Sequence, residues 1–415
     1  MIQSIFILDK DGRVIVEKNF RGIIGRTVVD QFADEVVKHS PFFTEVPPVI
    51  VTQRYYLIHV QTNGVFFLAV VSRDVVPLLV LEFLTRVSSI FSDYFGNLNE
   101  HVLRDNFITA YQLLEEMNDG GHPFNLEPNI LTDMIEVPNL INQTAGMVLG
   151  PGNTIKSSLP DSTLSRVPWR KANVKYTTNE IYIDIIDEID AIIESNGSMT
   201  TSRISGSVVV DCQLSGVPDL VLRFQNPGIM EDLSFHPCVL ISRWEREQVL
   251  AFVPPDGKFK LLEFRSKGNI MMPIYVQPHI SFSEGTGTMS VMVGTKNVTD
   301  KVIEDILVKI PFPSNCSGIS LTSKVGTVDC DENTKLLTWR IRGLTPKQPA
   351  PILEGSFAWD AETVPIKPVL SVEFTVNTWS ASGLKVDSLT LLNENYSHFK
   401  GVKSLTKGGK IQIRL

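Results

Sequence analysis

From residue 168 to residue 415, the sequence consists of short apolar segments separated by Gly, Pro and Asn, and few of these segments have helical spacing. Many of them alternate apolar and polar side chains, as strands with one buried face do. Examples are VVVDCQL, LVLRF, TMSVMVG, LLTWRIR and SVEFTV. This pattern predicts an all-β sandwich of the immunoglobulin-like kind. About 250 residues are long for one simple sandwich, so we expect two sub-domains.

Residues 1–138 have a different, α/β pattern. Two apolar segments flank the turn residues 9–12, and two more flank Asn63-Gly64, so each pair predicts a β-hairpin. Helical spacing follows, with a Gly soon after each of the first two long segments. The predicted helices cover residues 27–39, 80–94, 103–117 and a short stretch from about residue 128. Strands that come before helices predict a sheet covered by helices.

Residues 139–167 separate these two regions and are rich in Asn, Gly, Ser, Thr and Pro, with only three charged residues. This composition predicts a flexible linker. The net charge of −8 is concentrated in residues 1–167, which hold 12 basic and 19 acidic residues. Residues 385–415 are basic instead, with six basic and two acidic residues. A basic terminal stretch is compatible either with anionic lipid or with a simple solvated surface.

Several classes of function are disfavoured by what the sequence lacks. The longest apolar runs, such as residues 75–81 with Pro77, are too short for a membrane span. The four cysteines are widely spaced, which argues for reduced thiols and against a zinc site, and no other cofactor is implied. His236 fits a structural role better than a catalytic one. The acidic balance argues against nucleic acid, and no catalytic motif is present, so we do not expect an enzyme.

The stretch NEIYIDIIDEI, residues 179–189, has two interpretations. Read as a strand, Ile181, Ile183 and Ile185 share one face, and Tyr182 and Asp184 share the other. Isoleucines also recur at helical spacing here, so the local pattern alone is ambiguous. The β-rich surroundings favour a strand. An all-β domain also offers sheet edges to which an extended peptide can add as a further strand.

Several ordered motifs resemble one family, the medium (mu) chains of the heterotetrameric clathrin-adaptor complexes. They are LEFLTRVSSIFSDYFG (81–96), LRDNFITAYQLLEEMNDGGHP (103–123), PWRKANVKYTTNEIYIDIIDEIDAII (168–193), FVPPDGKFKL (252–261) and SGLKV (382–386). The resemblance covers nearly the whole chain. Residues 235–250, FHPCVLISRWEREQVL, look most like the third adaptor complex, which serves endosome-to-lysosome traffic.

The resemblance implies a longin-like α/β domain at 1–138, the linker at 139–167 and a mu-homology domain at 168–415. It also implies assembly with two large chains and one small chain, and recruitment with a small GTPase of the Arf class. The expected location is cytoplasmic, on Golgi and endosome membranes and coated vesicles. The expected role is cargo selection through Tyr-x-x-Φ signals in membrane-protein tails, where Φ is a bulky apolar residue.

The resemblance assigns the signal-binding residues by position. Tyr182 matches an aromatic wall of the tyrosine pocket, and Asp184 matches the acceptor for the hydroxyl of the cargo tyrosine. The apolar Φ pocket is matched by Ile181, Ile183, Val386, Leu389 and Val402. Residues 400–403, KGVK, match the edge strand to which the peptide adds.

Three positions depart from the endocytic relative. Lys403 replaces an arginine that stacks on the cargo tyrosine, and lysine lacks a planar guanidinium group. Gly401 replaces a tryptophan, and Asp211 replaces a lysine. If Asp211 faces the site, it is expected to favour basic residues at the x positions. Two rival hypotheses remain open, which are a scaffold subunit that binds no cargo and a hydrolase with a dispersed active site.

Overall fold

A computed structural model of the chain describes residues 1–39, 46–138, 167, 169–170, 173–267, 270–283, 285–298, 300–313, 315–332, 334–359 and 367–414. They belong to two compact units, Met1–Lys171 and Ala172–Leu415. The predicted linker at 139–167 lies outside the described residues, apart from Val167. The predicted boundaries at 138 and 168 therefore stay predictions.

The first unit is a five-stranded antiparallel sheet covered by helices on both faces. Its strands are Ile2–Leu8 (β1), Val14–Asn19 (β2), Val49–Val51 (β3), Tyr55–Thr62 (β4), Val65–Ser72 (β5), Asn118–Asp119 (β6) and His122–Pro123 (β7). Its helices are Thr27–His39 (α1), Pro77–Phe95 (α2), Glu100–Asp105 (α3), Phe107–Met117 (α4) and Pro128–Met134 (α5). The sheet order is β2-β1-β5-β4-β3, and β6 pairs with β7.

The central strand β5 shows why this unit needs helices on both sides. Its residues from Val65 to Val71 are all buried. Phe66 and Leu68 pack in a cluster with Phe32 of α1, whereas Phe67 packs in another cluster with Phe91 of α2. A strand buried on both faces reads as a continuous apolar run. The predicted α/β fold of this region is confirmed.

Both predicted hairpins of this unit are confirmed. The carboxylate of Asp9 accepts hydrogen bonds from the backbone N–H groups of Asp11 (2.9 Å) and Arg13 (2.8 Å), which closes the first turn. The second turn has positive φ at both central residues, 50° at Asn63 and 81° at Gly64. Asn-Gly is the sequence pair that tolerates this geometry best.

The prediction of a single helix over 103–117 is wrong. The chain leaves helical geometry at Asn106, which has φ −115° and ψ 28° and lies between α3 and α4. Its side-chain amide donates a hydrogen bond to the carbonyl of Val102 at 2.9 Å. An Asn side chain can replace a helical backbone hydrogen bond in this way. The apolar residues keep their helical spacing on both sides of Asn106, so the spacing does not reveal the break.

The second unit is built almost entirely of strands. They are Glu180–Ile193 (β8), Met199–Gln213 (β9), Asp219–Phe224 (β10), Met230–Phe235 (β11), Val249–Phe252 (β12), Gly257–Ser266 (β13), Ile274–Ser283 (β14), Thr286–Thr295 (β15), Ile303–Pro311 (β16), Cys316–Ser323 (β17), Thr327–Asp331 (β18), Leu336–Leu344 (β19), Ile352–Trp359 (β20), Leu370–Asn377 (β21), Val386–Leu392 (β22) and Phe399–Ile413 (β23). A short helix, Ile241–Glu247 (α6), was not predicted from the sequence. A 3-10 turn covers Pro227–Ile229.

Three sheets account for these strands. The largest has nine strands in the order β11-β13-β9-β8-β23-β21-β16-β19-β18, and the others have the orders β14-β15-β20-β17 and β12-β10-β22. The four-stranded sheet packs on one half of the large sheet, where Val291 and Leu353 share a buried cluster with Val308 and Trp339. The predicted all-β sandwich with two sub-domains is confirmed.

The ambiguous stretch 179–189 forms the start of β8. Along this strand, buried residues alternate with more exposed ones from Ile181 to Ile193. Ile181, Ile183 and Ile185 lie on the buried face. Tyr182 lies on the other face, where its neighbour on β23 is Gly401, which has no side chain. The surrounding strands therefore decide the secondary structure that the local pattern leaves open.

Candidate functional site

Strand β23 has two different environments along its length. It pairs in parallel with β8 from Phe399 to Ile413. On its other side it pairs with β21, but that ladder begins only at Leu405, opposite Asn377. Residues 399–404 therefore have β8 on one side and no described strand on the other. This segment is a free sheet edge, and we call it the β23 edge.

The direction of the backbone groups along the β23 edge follows from one hydrogen bond. The N–H of Phe399 donates to the carbonyl oxygen of Asn179 at 2.9 Å, so Phe399 faces the β8 side. In a parallel ladder, alternate residues direct their backbone groups to the same neighbour. Gly401 and Lys403 thus also face β8. Lys400 and Val402 direct their N–H and C=O groups to the free side, where an added strand can bind them.

Five of the predicted site residues lie on one face of the sheet in two adjacent rows. Gly401 of β23 lies opposite Tyr182 of β8, and Tyr182 lies opposite Asp211 of β9. In the next row, Lys403 lies opposite Asp184. Directly opposed residues on a sheet face have Cβ atoms about 4.5–5.5 Å apart. The sheet thus brings an aromatic ring, two carboxylates and an ammonium group together beside the free edge.

Tyr182 is fixed by three neighbours. Its hydroxyl donates a hydrogen bond to Oε2 of Glu180 at 2.7 Å, and its ring centroid is 5.9 Å from that of Phe399. A Cβ atom at Gly401 would lie 2.6 Å from Cδ1 of Tyr182, so the ring lies against the glycine. The hydrogen bond to Glu180 raises the pKa of Tyr182, with smaller contributions from burial and from the charges of Glu180 and Asp211.

The two aspartates of this face have free acceptor capacity. Asp184 and Asp211 are half-buried, and Lys403 is exposed. None of the three forms an ion pair with any residue that the structure describes. Asp184 in particular accepts no side-chain hydrogen bond within the described part of the chain. A half-buried carboxylate without a donor is a ready acceptor for a ligand hydroxyl.

The predicted apolar residues lie on the opposite face or in another sheet. Ile181 and Ile183 are buried, and Val402, which lies opposite Ile183, is 51% exposed. Leu389 is buried and Val386 is half-buried, and both belong to β22 in the three-stranded sheet. The predicted residues of β8, β9 and β23 lie on neighbouring strands of one sheet. The predicted residues of β22 lie in a different sheet.

Two residues at this site were missed from the sequence, Glu180 and Phe399. Glu180 lies opposite Phe399 across the β8–β23 ladder, and both contact Tyr182. The signal for Glu180 was present, since strand alternation places it on the same face as Tyr182. Phe399 offered no such signal, because its partner is more than 200 residues away in the sequence.

His236 and the metal-ligating residue types of the described second unit were also considered as functional candidates. His236 is buried, and its Nδ1 atom accepts a hydrogen bond from the backbone N–H of Cys238 at 3.1 Å, which fits the predicted structural role. Within the described ranges, no group of three His, Cys, Asp or Glu side chains is placed to hold a metal ion. Among the helices that the structure describes, none has the length and apolar character to cross a membrane.

Comparison with known protein families identifies both regions of the chain. The model of the adaptor complexes medium subunit family matches residues 167–415, which is more than half of the chain. This protein belongs to the adaptor-complex medium subunit family. Residues 1–141 of this medium subunit match the model of the clathrin adaptor complex small chain. The resemblance drawn from the sequence motifs is thereby confirmed.

Full-length relatives narrow the assignment of this medium subunit. It is 43% identical over 423 residues to the AP-3 complex subunit mu of Dictyostelium discoideum, with 100% of both chains covered. It is 40% identical over 420 residues to the AP-3 complex subunit mu-1 of Homo sapiens, again with 100% coverage of both. The predicted likeness to the third adaptor complex is confirmed. A homology model of the full-length AP-3 complex has a similar fold, with TM-score 0.62, 18% identity and 100% coverage of both chains.

Proposed function

We propose that this medium subunit selects membrane-protein cargo by binding Tyr-x-x-Φ signals as an added strand on the β23 edge. The observation that carries the proposal is the pairing of a free backbone edge with a polar aromatic face on one side and an exposed valine on the other. The outward backbone groups of Lys400 and Val402 bind the peptide backbone. Side-chain pockets on the two faces then supply the specificity.

The spacing of the signal fits the two faces of the edge. In an extended peptide, residues three apart point to opposite faces. The tyrosine of the signal then lies on the face of Tyr182 and Asp184, while Φ lies on the face of Val402. Ile181, Ile183, Val386 and Leu389 are the further apolar residues that we assign to the Φ side. Residues of another spacing, two or four apart, would place both side chains on one face.

The tyrosine pocket has walls of different chemistry. Tyr182 provides an aromatic wall, Asp184 accepts the hydroxyl of the cargo tyrosine, and Lys403 places a cation beside the ring. Because Gly401 has no side chain, the ring of Tyr182 lies directly against the backbone of β23. When the signal has phenylalanine in place of tyrosine, the bound peptide excludes water from Asp184 but provides no hydroxyl to donate to its carboxylate. Such a loss costs about 1–3 kcal/mol, and each 1.4 kcal/mol corresponds to about a tenfold change in affinity.

The same proposal extends to the assembly in which cargo binding takes place. The relatives are named as subunits of the AP-3 complex, which supports assembly with two large chains and one small chain. We infer a non-enzymatic vesicle-coat role on the cytoplasmic face of Golgi and endosome membranes, in traffic toward lysosomes. Recruitment with an Arf-class GTPase belongs to this inference.

Calorimetry with the full chain and a short Tyr-x-x-Φ peptide tests the proposal. We expect binding that weakens at least about tenfold when the peptide tyrosine becomes phenylalanine. The Asp184→Ala variant is expected to lose this discrimination while keeping its thermal unfolding transition, because Asp184 is only half-buried and unpaired. Asp329→Ala is the matched control, since Asp329 is an exposed aspartate on β18 at the far end of the same sheet.

A second outcome would favour the scaffold hypothesis. If the full chain binds no Tyr-x-x-Φ peptide at any ligand concentration that calorimetry can reach, the proposed cargo role is wrong. Loss of the thermal transition in Asp184→Ala would mean instead that Asp184 stabilises the fold.

A further inference from the structure

Three carboxylates flank Tyr182 on the polar face beside the β23 edge. Glu180 and Asp184 lie two residues before and two residues after Tyr182 on the same strand face, and Asp211 lies directly across from it. Alternate residues on a strand are about 6.5–7 Å apart, so Glu180 and Asp184 are nearly equidistant from Tyr182 along β8. Of these acceptors, the hydroxyl of Tyr182 uses Glu180, at 2.7 Å.

We propose that Glu180 is a positioning residue that holds the hydroxyl of Tyr182 and thereby keeps Asp184 open for the hydroxyl of the cargo tyrosine. This inference rests on the proposed function, and it adds a residue that makes no cargo contact of its own. Asp184 then has no competing donor from its own strand when the cargo arrives.

The neighbours of Tyr182 favour the orientation toward Glu180. Phe399 lies opposite Glu180 in the β8–β23 ladder, and its ring packs against that of Tyr182 with the two planes at 53°. The absent side chain of Gly401 lets the ring lie against β23. Phe399 and Glu180 thus hold the apolar and polar ends of the same ring. Lys403, opposite Asp184, marks the other end of the face, where the cargo tyrosine is proposed to lie.

Removal of Glu180 deprives the hydroxyl of Tyr182 of its hydrogen-bond acceptor. A phenol hydroxyl that loses a carboxylate acceptor turns to another one within reach, and Asp184 and Asp211 are both free of ion pairs with the described residues. When Tyr182 occupies Asp184, the cargo hydroxyl must displace it. The affinity for a tyrosine signal falls, whereas the affinity for a phenylalanine signal, which does not use Asp184, stays the same.

Four variants of the full chain test this competition: Glu180→Ala, Glu180→Gln, Tyr182→Phe and the double variant Glu180→Ala/Tyr182→Phe. We expect Glu180→Ala to weaken binding of a Tyr-x-x-Φ peptide about three- to tenfold, the equivalent of one displaced hydrogen bond. Glu180→Gln should bind within about twofold of wild type, because the amide oxygen of Gln still accepts from the phenol. The double variant should recover the affinity of Tyr182→Phe alone, because it has no hydroxyl to occupy Asp184.

The outcomes separate this inference from the proposed function. Wild-type affinity in Glu180→Ala overturns the inference alone, and so does a double variant that stays as weak as Glu180→Ala. Equal weakening for the Tyr-x-x-Φ and Phe-x-x-Φ peptides also overturns it, since competition for Asp184 affects only the hydroxyl-bearing peptide. A wild-type chain that binds no Tyr-x-x-Φ peptide overturns both proposals. Thermal unfolding of each variant checks that the fold is intact.

Discussion

At the scale of single residues, Asp211 is one of the charged side chains on the face of the proposed site. It lies directly across from Tyr182 and directly across from Lys258 of β13 on its other side. Asp211 therefore shares the sheet face of Tyr182, which is what the proposed preference for basic x residues requires. Each of the two rows thus pairs an aspartate with a lysine, since Lys403 lies opposite Asp184 in the other row.

We predict that Asp211→Lys changes the preference at the x positions of the signal. A lysine adds a cation beside Lys258 and Lys403, so peptides with acidic x residues should gain about three- to tenfold in affinity relative to peptides with basic x residues. Calorimetry with two peptides that differ only at the x positions measures this ratio. An unchanged ratio would place Asp211 outside the range of the bound peptide. The effect should shrink as salt is raised.

The part of the proposed site that lies on β8 was predicted from the sequence, because the alternation of side chains along one strand is a local pattern. Alternation along 180–186 places Tyr182 and Asp184 on one face and Ile181 and Ile183 on the other, as the structure has them. The contact between Tyr182 and Phe399 depends on the parallel pairing of β8 with β23, whose members are about 220 residues apart in the chain. Strand register over such a separation is set by the whole sheet and leaves no local pattern.

At the scale of elements, the β23 edge predicts a period-two pattern in the peptide. N-methyl groups placed one at a time along a Tyr-x-x-Φ peptide remove one backbone donor each. We expect large losses of affinity at alternate positions and small losses between them, because only alternate residues of an added strand direct their N–H groups to the edge. Calorimetry across the series measures the pattern. Equal losses at every position would indicate binding through side chains alone.

The loop between β21 and β22 depends on a buried carboxylate of β8. Oδ2 of Asp187 accepts hydrogen bonds from the hydroxyl of Ser380 (2.7 Å) and from the backbone N–H (2.9 Å) and hydroxyl (3.0 Å) of Ser382. Asp187 is fully buried, and this burial raises its pKa above the usual range of an aspartate despite the hydrogen bonds. The loop leads directly into β22, so Asp187 connects β8 to the strand that carries Val386 and Leu389.

We predict that Asp187→Asn changes how stability depends on pH. A carboxyl group with a raised pKa in the folded state stabilises the fold most below its unfolded pKa, and this contribution is lost as pH rises through its folded pKa. The free energy of unfolding of the wild type should therefore fall relative to that of Asp187→Asn as pH increases from about 4 toward neutrality. Denaturant unfolding at several pH values measures the difference. A constant difference would mean that Asp187 does not titrate in this range.

Two further features of the fold, the break at Asn106 and the helix α6, could not be predicted from local sequence patterns. The break at Asn106 is a competition between one side chain and the helical backbone, and the continuous apolar spacing of 103–117 conceals it. The helix α6 has seven residues, too few for periodicity to distinguish it from a strand or loop. The longer elements were predicted because their apolar faces repeat over several turns or pleats.

At the scale of the whole molecule, the two units have separate buried clusters. The clusters of the first unit involve residues between Ile2 and Val137, and the largest cluster of the second involves residues from Ile189 onward. This separation supports the proposed division into domains at 1–138 and 168–415, joined by the segment 139–167. The spacing of apolar residues distinguished the two regions, because strand-rich and mixed patterns differ over hundreds of residues, and composition marked the segment between them.

We predict that limited proteolysis of the full chain cleaves first within 139–167, since segments rich in Gly, Ser and Pro without an apolar core are the preferred sites of nicking. Mass spectrometry of the products should give a fragment that begins in this segment and extends to the C-terminus. That fragment should bind the Tyr-x-x-Φ peptide with the affinity of the intact chain. Early cleavage inside the sheets, or a fragment that unfolds, would contradict the proposed domain boundaries.

The short length of the β23 edge has a consequence for self-association. At about 3.3 Å per residue, residues 399–404 span about 20 Å, which is enough for a four-residue signal and its flanks. Unprotected edges of this kind are templates for intermolecular sheet growth, and lysines on an edge oppose such growth. Lys400 and Lys403 lie on this edge, and β21 closes it from Leu405 onward. A second copy of the chain would meet two like charges and a closed ladder, so growth of the sheet from this edge is opposed.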